Sequence, residues 1–289
     1  MTRRLAAVLV AAGVTAACGD VNGALARLAE ARRLSADLRV EFTKASDATN
    51  RAVMADTDSA SVAFAQEADR AKQAVGKDAA ALRPLLAGLG YADETRMLGT
   101  FEKQLAAYEA LDRQILDLAV ENTNLKAQRL SFGAAQAAAD DFDQAVDAVA
   151  PAHPRDAWQV KAAALAAVGA VREIQVLQAP HIAAADDESM GGIEGRMKSQ
   201  ETAARAALSG LSPLVDARSR PKLTAAGEAL NRFMEVNAQI LGLSRRNTNV
   251  RSLALSLDQK QALVAPVEQS LRALDESLAR RGYPKGRWE

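Results

Sequence analysis

Residues 108–131, YEALDRQILDLAVENTNLKAQRLS, reappear 125 positions downstream as FMEVNAQILGLSRRNTNVRSLALS at 233–256. The identical pairs are Gln114/Gln239, Ile115/Ile240, Leu116/Leu241, Leu118/Leu243, Asn122/Asn247, Thr123/Thr248, Asn124/Asn249, Leu130/Leu255 and Ser131/Ser256. Tyr108/Phe233, Leu125/Val250 and Lys126/Arg251 exchange like for like. Self-similarity at a fixed offset marks a supersecondary unit written twice. From ahead of the first copy and on through it the apolar residues step by three and four, through Leu98, Phe101, Leu105, Tyr108, Leu111, Ile115 and Leu118, and the stripe reaches Leu125. A narrow stripe of that period is the seam of a helical bundle. Glu102, Lys103, Glu109, Asp112, Arg113 and Asp117 fall off the stripe and are expected to face water.

Working outward, the chain is dense in Ala, Leu, Gln, Glu and Arg, all strong helix formers. Runs of β-branched and aromatic residues that would make strands are missing. The fold class is therefore all-α, with long amphipathic helices in two tandem antiparallel bundles. Helices are expected over 21–54, 59–86 and 93–150, then over 155–178, 196–211 and 222–281, with Asp186–Gly195 as a turn and Pro266 as a kink. Pro151-Ala152-His153-Pro154 cannot continue a helix and places the boundary between the repeats. This gives one bundle over 18–151 and a second over 152–289.

The first residues, MTRRLAAVLVAAGVTAACGD, carry Arg3 and Arg4 ahead of an apolar run from Leu5 to Val14. That is the layout of a secretory signal, and too short for a span needing about 20 residues. The small residues Thr15-Ala16-Ala17 lead into Cys18, the only cysteine, so no disulfide forms within one chain. The segment resembles the lipobox of bacterial lipoproteins, with Thr15 where that family usually carries an aliphatic residue. The resemblance implies a signal peptide over 1–17, acylation of Cys18, export, and a lipid anchor facing the periplasm. Gly19 after the cysteine, in place of Asp, implies delivery to the outer membrane. The alternative is ordinary cleavage near Ala17 with Cys18 an incidental thiol.

The repeated block, an aromatic-bearing helix running through ILxLxxxNTN to LS, is similar to the last helix of the four-helix-bundle sensor domain of methyl-accepting chemotaxis receptors. Two such units in succession resemble the helical bimodular sensor domains. That likeness implies a sensor-like module binding a small ligand or a protein partner in signal transduction. Those receptors carry membrane helices around the sensor domain and cytoplasmic signalling helices behind it, and this sequence shows neither.

Asn122 and Asn247 fall on the apolar seam, seven residues beyond Ile115 and Ile240, with Asn124 and Asn249 beside them. A buried amide must be hydrogen-bonded or cost roughly 1–3 kcal/mol. The four amides are thus either a polar layer that fixes helix register or a ligand-binding set. His153, His181 and the acidic Asp186-Asp187-Glu188 lack the Glu-x-x-His spacing of metal-binding bundles, and no metal or cofactor is expected. No nucleophile elbow, phosphate loop, dinucleotide fingerprint or zinc-protease helix occurs, so no catalytic residue is assigned. Beyond Arg3 and Arg4 the chain holds 36 − 2 = 34 basic against 36 acidic side chains, which excludes the clustered positive charge of nucleic-acid binders. The partners left are the membrane through the anchor, an envelope protein or small ligand, and a second copy of the chain. A structural envelope scaffold without ligand and a metal-handling bundle are the competing readings.

Overall fold

The computed structural model describes residues 3–281, with side chains from residue 22 onward. Cys18 and the signal segment over 1–17 lie outside the residues whose side chains are described. Among the described residues the fold is all-α, and the single β-bridge, Pro151 with Val215, belongs to no strand. No helix there is long and apolar enough to cross a membrane. The helices are α1 (Arg3–Met54), α2 (Asp58–Gly88), α3 (Ala92–Glu121), α4 (Thr123–Leu130), α5 (Gln136–Asp147), α6 (Ala157–Ala183), α7 (Asp187–Leu211), α8 (Arg220–Arg246), α9 (Thr248–Leu255) and α10 (Gln261–Arg280).

Their ends follow from capping chemistry. Thr57 accepts a bond from the Ala60 amide at the start of α2. Gly90, at φ +70, turns the chain from α2 into α3 in a conformation only glycine adopts freely. The acidic stretch expected to be a turn instead starts α7: Asp186 accepts from the Ser189 amide at 2.7 Å, and Asp187 and Glu188 favour the positive helix end. Neither long repeat helix is continuous. Each breaks at its first motif asparagine, runs through a short helix, passes a π-helical turn (Ser131–Ala135 and Ser256–Lys260), and resumes. Pro266 sits early in α10 and does not end it.

Two compact units result, and they cut the chain differently from the two halves expected. The first comprises 1–120 and 253–289, the second 121–252. In the first unit Leu38 and Phe42 of α1, Leu82 and Leu86 of α2, and Leu98, Phe101 and Tyr108 of α3 close on Val267, Leu271, Leu274 and Leu278 of α10. Phe42 and Tyr108 meet edge to face at 5.0 Å. In the second unit Phe142 and Val146 of α5 pack with Val171 and Ile174 of α6, Leu208 and Leu211 of α7, and Leu230, Phe233 and Ile240 of α8. Each unit is a four-helix core whose last helix comes from the other copy of the repeat. The Pro151–Pro154 break is the α5–α6 connection inside the second unit and not a boundary; there Ala152 donates to the Leu214 carbonyl. Periodicity fixes which face of the final helix is buried. It does not say which of the two three-helix sets receives it, the degeneracy behind domain swapping.

Candidate functional site

The two Asn-Thr-Asn motifs meet within the second unit. Asn122 (φ 51) and Asn247 (φ 52) are the only non-glycine residues with positive φ among the described residues. Asparagine tolerates this left-handed conformation better than other side-chain-bearing residues. Each therefore ends its long helix and releases the next short one with its first amides unpaired. The motifs cap one another. Thr123 N donates to Thr248 Oγ1 and Thr248 N to Thr123 Oγ1, both at 3.1 Å. Asn124 N donates to Asn249 Oδ1 at 3.1 Å, and Asn249 N to Asn124 Oδ1 at 3.2 Å.

The amide groups continue the exchange. Asn249 Nδ2 donates to Asn122 Oδ1 at 2.9 Å, and Asn124 Nδ2 donates to Asn247 Oδ1 at 2.8 Å. Two bonds reach the end of α6, from Asn124 Nδ2 to the Ile182 carbonyl (2.8 Å) and from Asn247 Nδ2 to the Ala184 carbonyl (2.9 Å). The side-chain hydrogens of Asn124 are thereby both used. Asn122 Nδ2 is buried without a partner, the one loose end of the quartet. So the four residues singled out in the sequence do come together, and they bind chiefly to each other.

Beside the crossing lies a cavity of about 200 Å³ in the second unit. Leu125, Val250, Ile182 and Phe132 supply its apolar wall, and Asn124, Gln128 and Asn249 its polar edge. The π-helical turn carries Phe132 outward, where it is 76% exposed. Such turns recur at functional positions because the extra residue re-aims a side chain. Behind the turn Ser131 donates to Gln178 Oε1 at 2.7 Å, and Gln178 Nε2 donates to Asn237 Oδ1 at 2.9 Å, a neutral buried layer.

Sequence reasoning missed the equivalent layer of the first unit, which is ionic. Asp112, expected to face water, is fully buried. Its carboxylate accepts from Lys72 Nζ at 2.7 Å, with Lys260 Nζ 4.0 Å away. Lys260, 1% exposed, donates to Asn50 Oδ1 and the Ser46 carbonyl, both at 2.9 Å. Burial pulls its ammonium down to about 8, against the attraction of Asp112 and Asp47. Burial likewise pushes the Tyr108 phenol far up. The repeat offset pairs Lys72, Tyr108, Asp112 and Lys260 with Met197, Phe233, Asn237 and Ala135. Comparing the copies position by position is the signal that could have found this layer.

His181 is buried at the end of α6, with Nδ1 against Ser244 Oγ and Nε2 against Glu194 Oε1, each at 2.9 Å. The Arg245 guanidinium, which donates to Glu194, holds that carboxyl down at about 2, helped by His181. Among the described residues no three His, Cys, Asp or Glu side chains converge as metal ligands. Comparison with protein-family models and with curated proteins returned no match.

Proposed function

We propose that this chain is a non-catalytic module of the cell envelope, lipid-anchored through Cys18, that acts by binding a small ligand or a protein partner, in the manner of the chemoreceptor sensor bundles it resembles. The observation that supports this most is the cavity walled by Leu125, Val250, Ile182 and Phe132. It abuts the crossing of the two motifs, so an occupant there would bear directly on the bonds that cap α4 and α9. An apolar recess with a few convergent polar groups is the usual form of a small-molecule site. Its size suits a compact apolar group carrying one hydrogen-bonding end.

Thermal-shift screening against amino acids, organic acids and metal ions tests the proposal. A ligand at a hundred times its Kd raises stability by about 2.7 kcal/mol. Binding at the cavity requires that the shift disappear in Phe132→Ala while the variant's own melting stays near that of the native chain. A stabiliser unaffected by that substitution, or none at all, counts against it. Fatty-acid labelling checks the anchor separately: label should enter the native chain and be lost in Cys18→Ser. A scaffold without ligand is the second reading. It is favoured by the amide quartet, whose bonding capacity is largely consumed within the crossing.

A further inference from the structure

Three hydrogen-bonding functions of the first unit's ionic layer converge without partners. Asp112 uses Oδ2 to accept from Lys72, whereas its Oδ1 is buried and accepts no hydrogen bond among the described residues. The Tyr108 hydroxyl, one helical turn earlier on α3, is likewise buried and unbonded among the described residues. It faces Asp112, Ser46 and Thr49 without reaching a hydrogen bond to any of them. Lys260 uses two of its three ammonium hydrogens on Asn50 Oδ1 and the Ser46 carbonyl, which leaves the third. Its Nζ stands 4.0 Å from Asp112 Oδ1, beyond hydrogen-bond reach, and 5.9 Å from the centre of the Tyr108 ring. All three residues are at most 1% exposed, so bulk solvent does not serve them. Native interiors rarely leave one buried polar atom unpaired, and here two stand together beside an unused donor.

The second unit holds the same layer closed. Phe233 stands there for Tyr108, Asn237 for Asp112 and Ala135 for Lys260. Asn237 Oδ1 accepts from Gln178 Nε2 at 2.9 Å, Asn237 Nδ2 donates to Met197 Sδ at 3.9 Å, and Gln178 Oε1 accepts from Ser131. The repeat offset sets Gln178 against Val53, whose side chain can donate nothing to Asp112. What the first unit requires is chemically narrow. Asp112 Oδ1 needs a donor, whereas Tyr108 and Lys260 need acceptors. A cation would satisfy the carboxylate but press against the Lys260 ammonium, and an anion would do the reverse. One neutral atom offering a hydrogen and two lone pairs serves all three. Placed about 2.8 Å from both Lys260 Nζ and Asp112 Oδ1, such an atom subtends about 90° between them, as a bridging water can.

We infer that the first unit binds one ordered water between Tyr108, Asp112 and Lys260. It donates to Asp112 Oδ1 and accepts from the Tyr108 hydroxyl and the third Lys260 N–H, three partners in the ordinary range for a buried water. Through it Lys260 joins Asp112 and Lys72 in one connected network. A high-resolution crystal structure of the full chain carrying Cys18→Ser, which removes any acyl group, tests this. One peak of water density is expected within hydrogen-bond distance of all three atoms. Oxygen-17 relaxation dispersion, which counts long-lived waters in solution, gives a second readout. The count should fall by one in Tyr108→Phe combined with Lys260→Met, because a single polar partner does not hold a buried water. Direct bonding of Tyr108 or Lys260 to Asp112 Oδ1 with no peak between them overturns the inference. So does the density of an ion at that point, or a count unchanged in a folded double variant. The crystal structure reads the native residues, so it decides the matter whether or not the double variant folds.

Discussion

At Asn122 and Asn247 two demands coincide: a left-handed backbone and an amide that bonds across the crossing. Replacing Asn122 by Ala removes the Oδ1 acceptor of Asn249 Nδ2 and also places an ordinary side chain at φ 51. Replacing it by Gly removes the acceptor alone. The left-handed conformation costs a non-glycine residue about 1–2 kcal/mol. Denaturant titration should therefore find Asn122→Ala less stable than Asn122→Gly by about 1 kcal/mol, with both below the native chain. Equal stabilities would mean that backbone geometry does not select asparagine here. Thr123 and Thr248 carry a further share, since each hydroxyl is the cap of the opposite short helix.

The helices show how far a single sequence reaches. The apolar stripe from Leu98 to Ile115 and its echo before Ile240 made the all-α class and the seam residues legible, because a period of 3.6 leaves no other economical burial. The breaks at Asn122 and Asn247 were not legible, since asparagine on a helical stripe reads equally as a register-fixing polar layer. Asp112 was misread for a related reason: a lone carboxylate looks like surface until Lys72 and Lys260 arrive from other helices. That layer makes a pH prediction. The folded pKa of Lys260, about 8, lies below the unfolded lysine value of about 10.4. The unfolded chain then binds more protons between those values, so stability rises with pH in that window. The gain is on the order of 3 kcal/mol. Above pH 10 ionisation of Tyr108, held high when folded, works the other way. Urea denaturation from pH 7 to 10 should show the rise in the native chain and a flat profile in Lys260→Met. A rise that persists in the variant would place its origin elsewhere.

On the scale of the whole molecule, the discontinuous first unit and the continuous second make unequal fragments. Residues 121–252 contain all four helices of their core, and the reciprocal caps hold their ends together. That fragment should unfold cooperatively on heating. Residues 18–151, the first repeat as a sequence, lack α10 and leave Leu82, Leu86 and Leu98 without Leu271, Leu274 and Leu278. This piece should bind a hydrophobic dye and melt without a sharp transition; a sharp transition would show that the first copy completes its own core. The reciprocal caps have one more consequence, and it concerns descent. Thr123 gives Thr248 the same bond it receives, as identical chains do across a homodimer axis. A single-copy ancestor could have made this contact only between two molecules that traded their final helices. Fusing the two genes would have turned that trade into an internal one. Each copy would then have been free to mutate alone, and the two units now differ, one holding Lys72, Asp112 and Lys260 where the other holds Met197, Asn237 and Ala135.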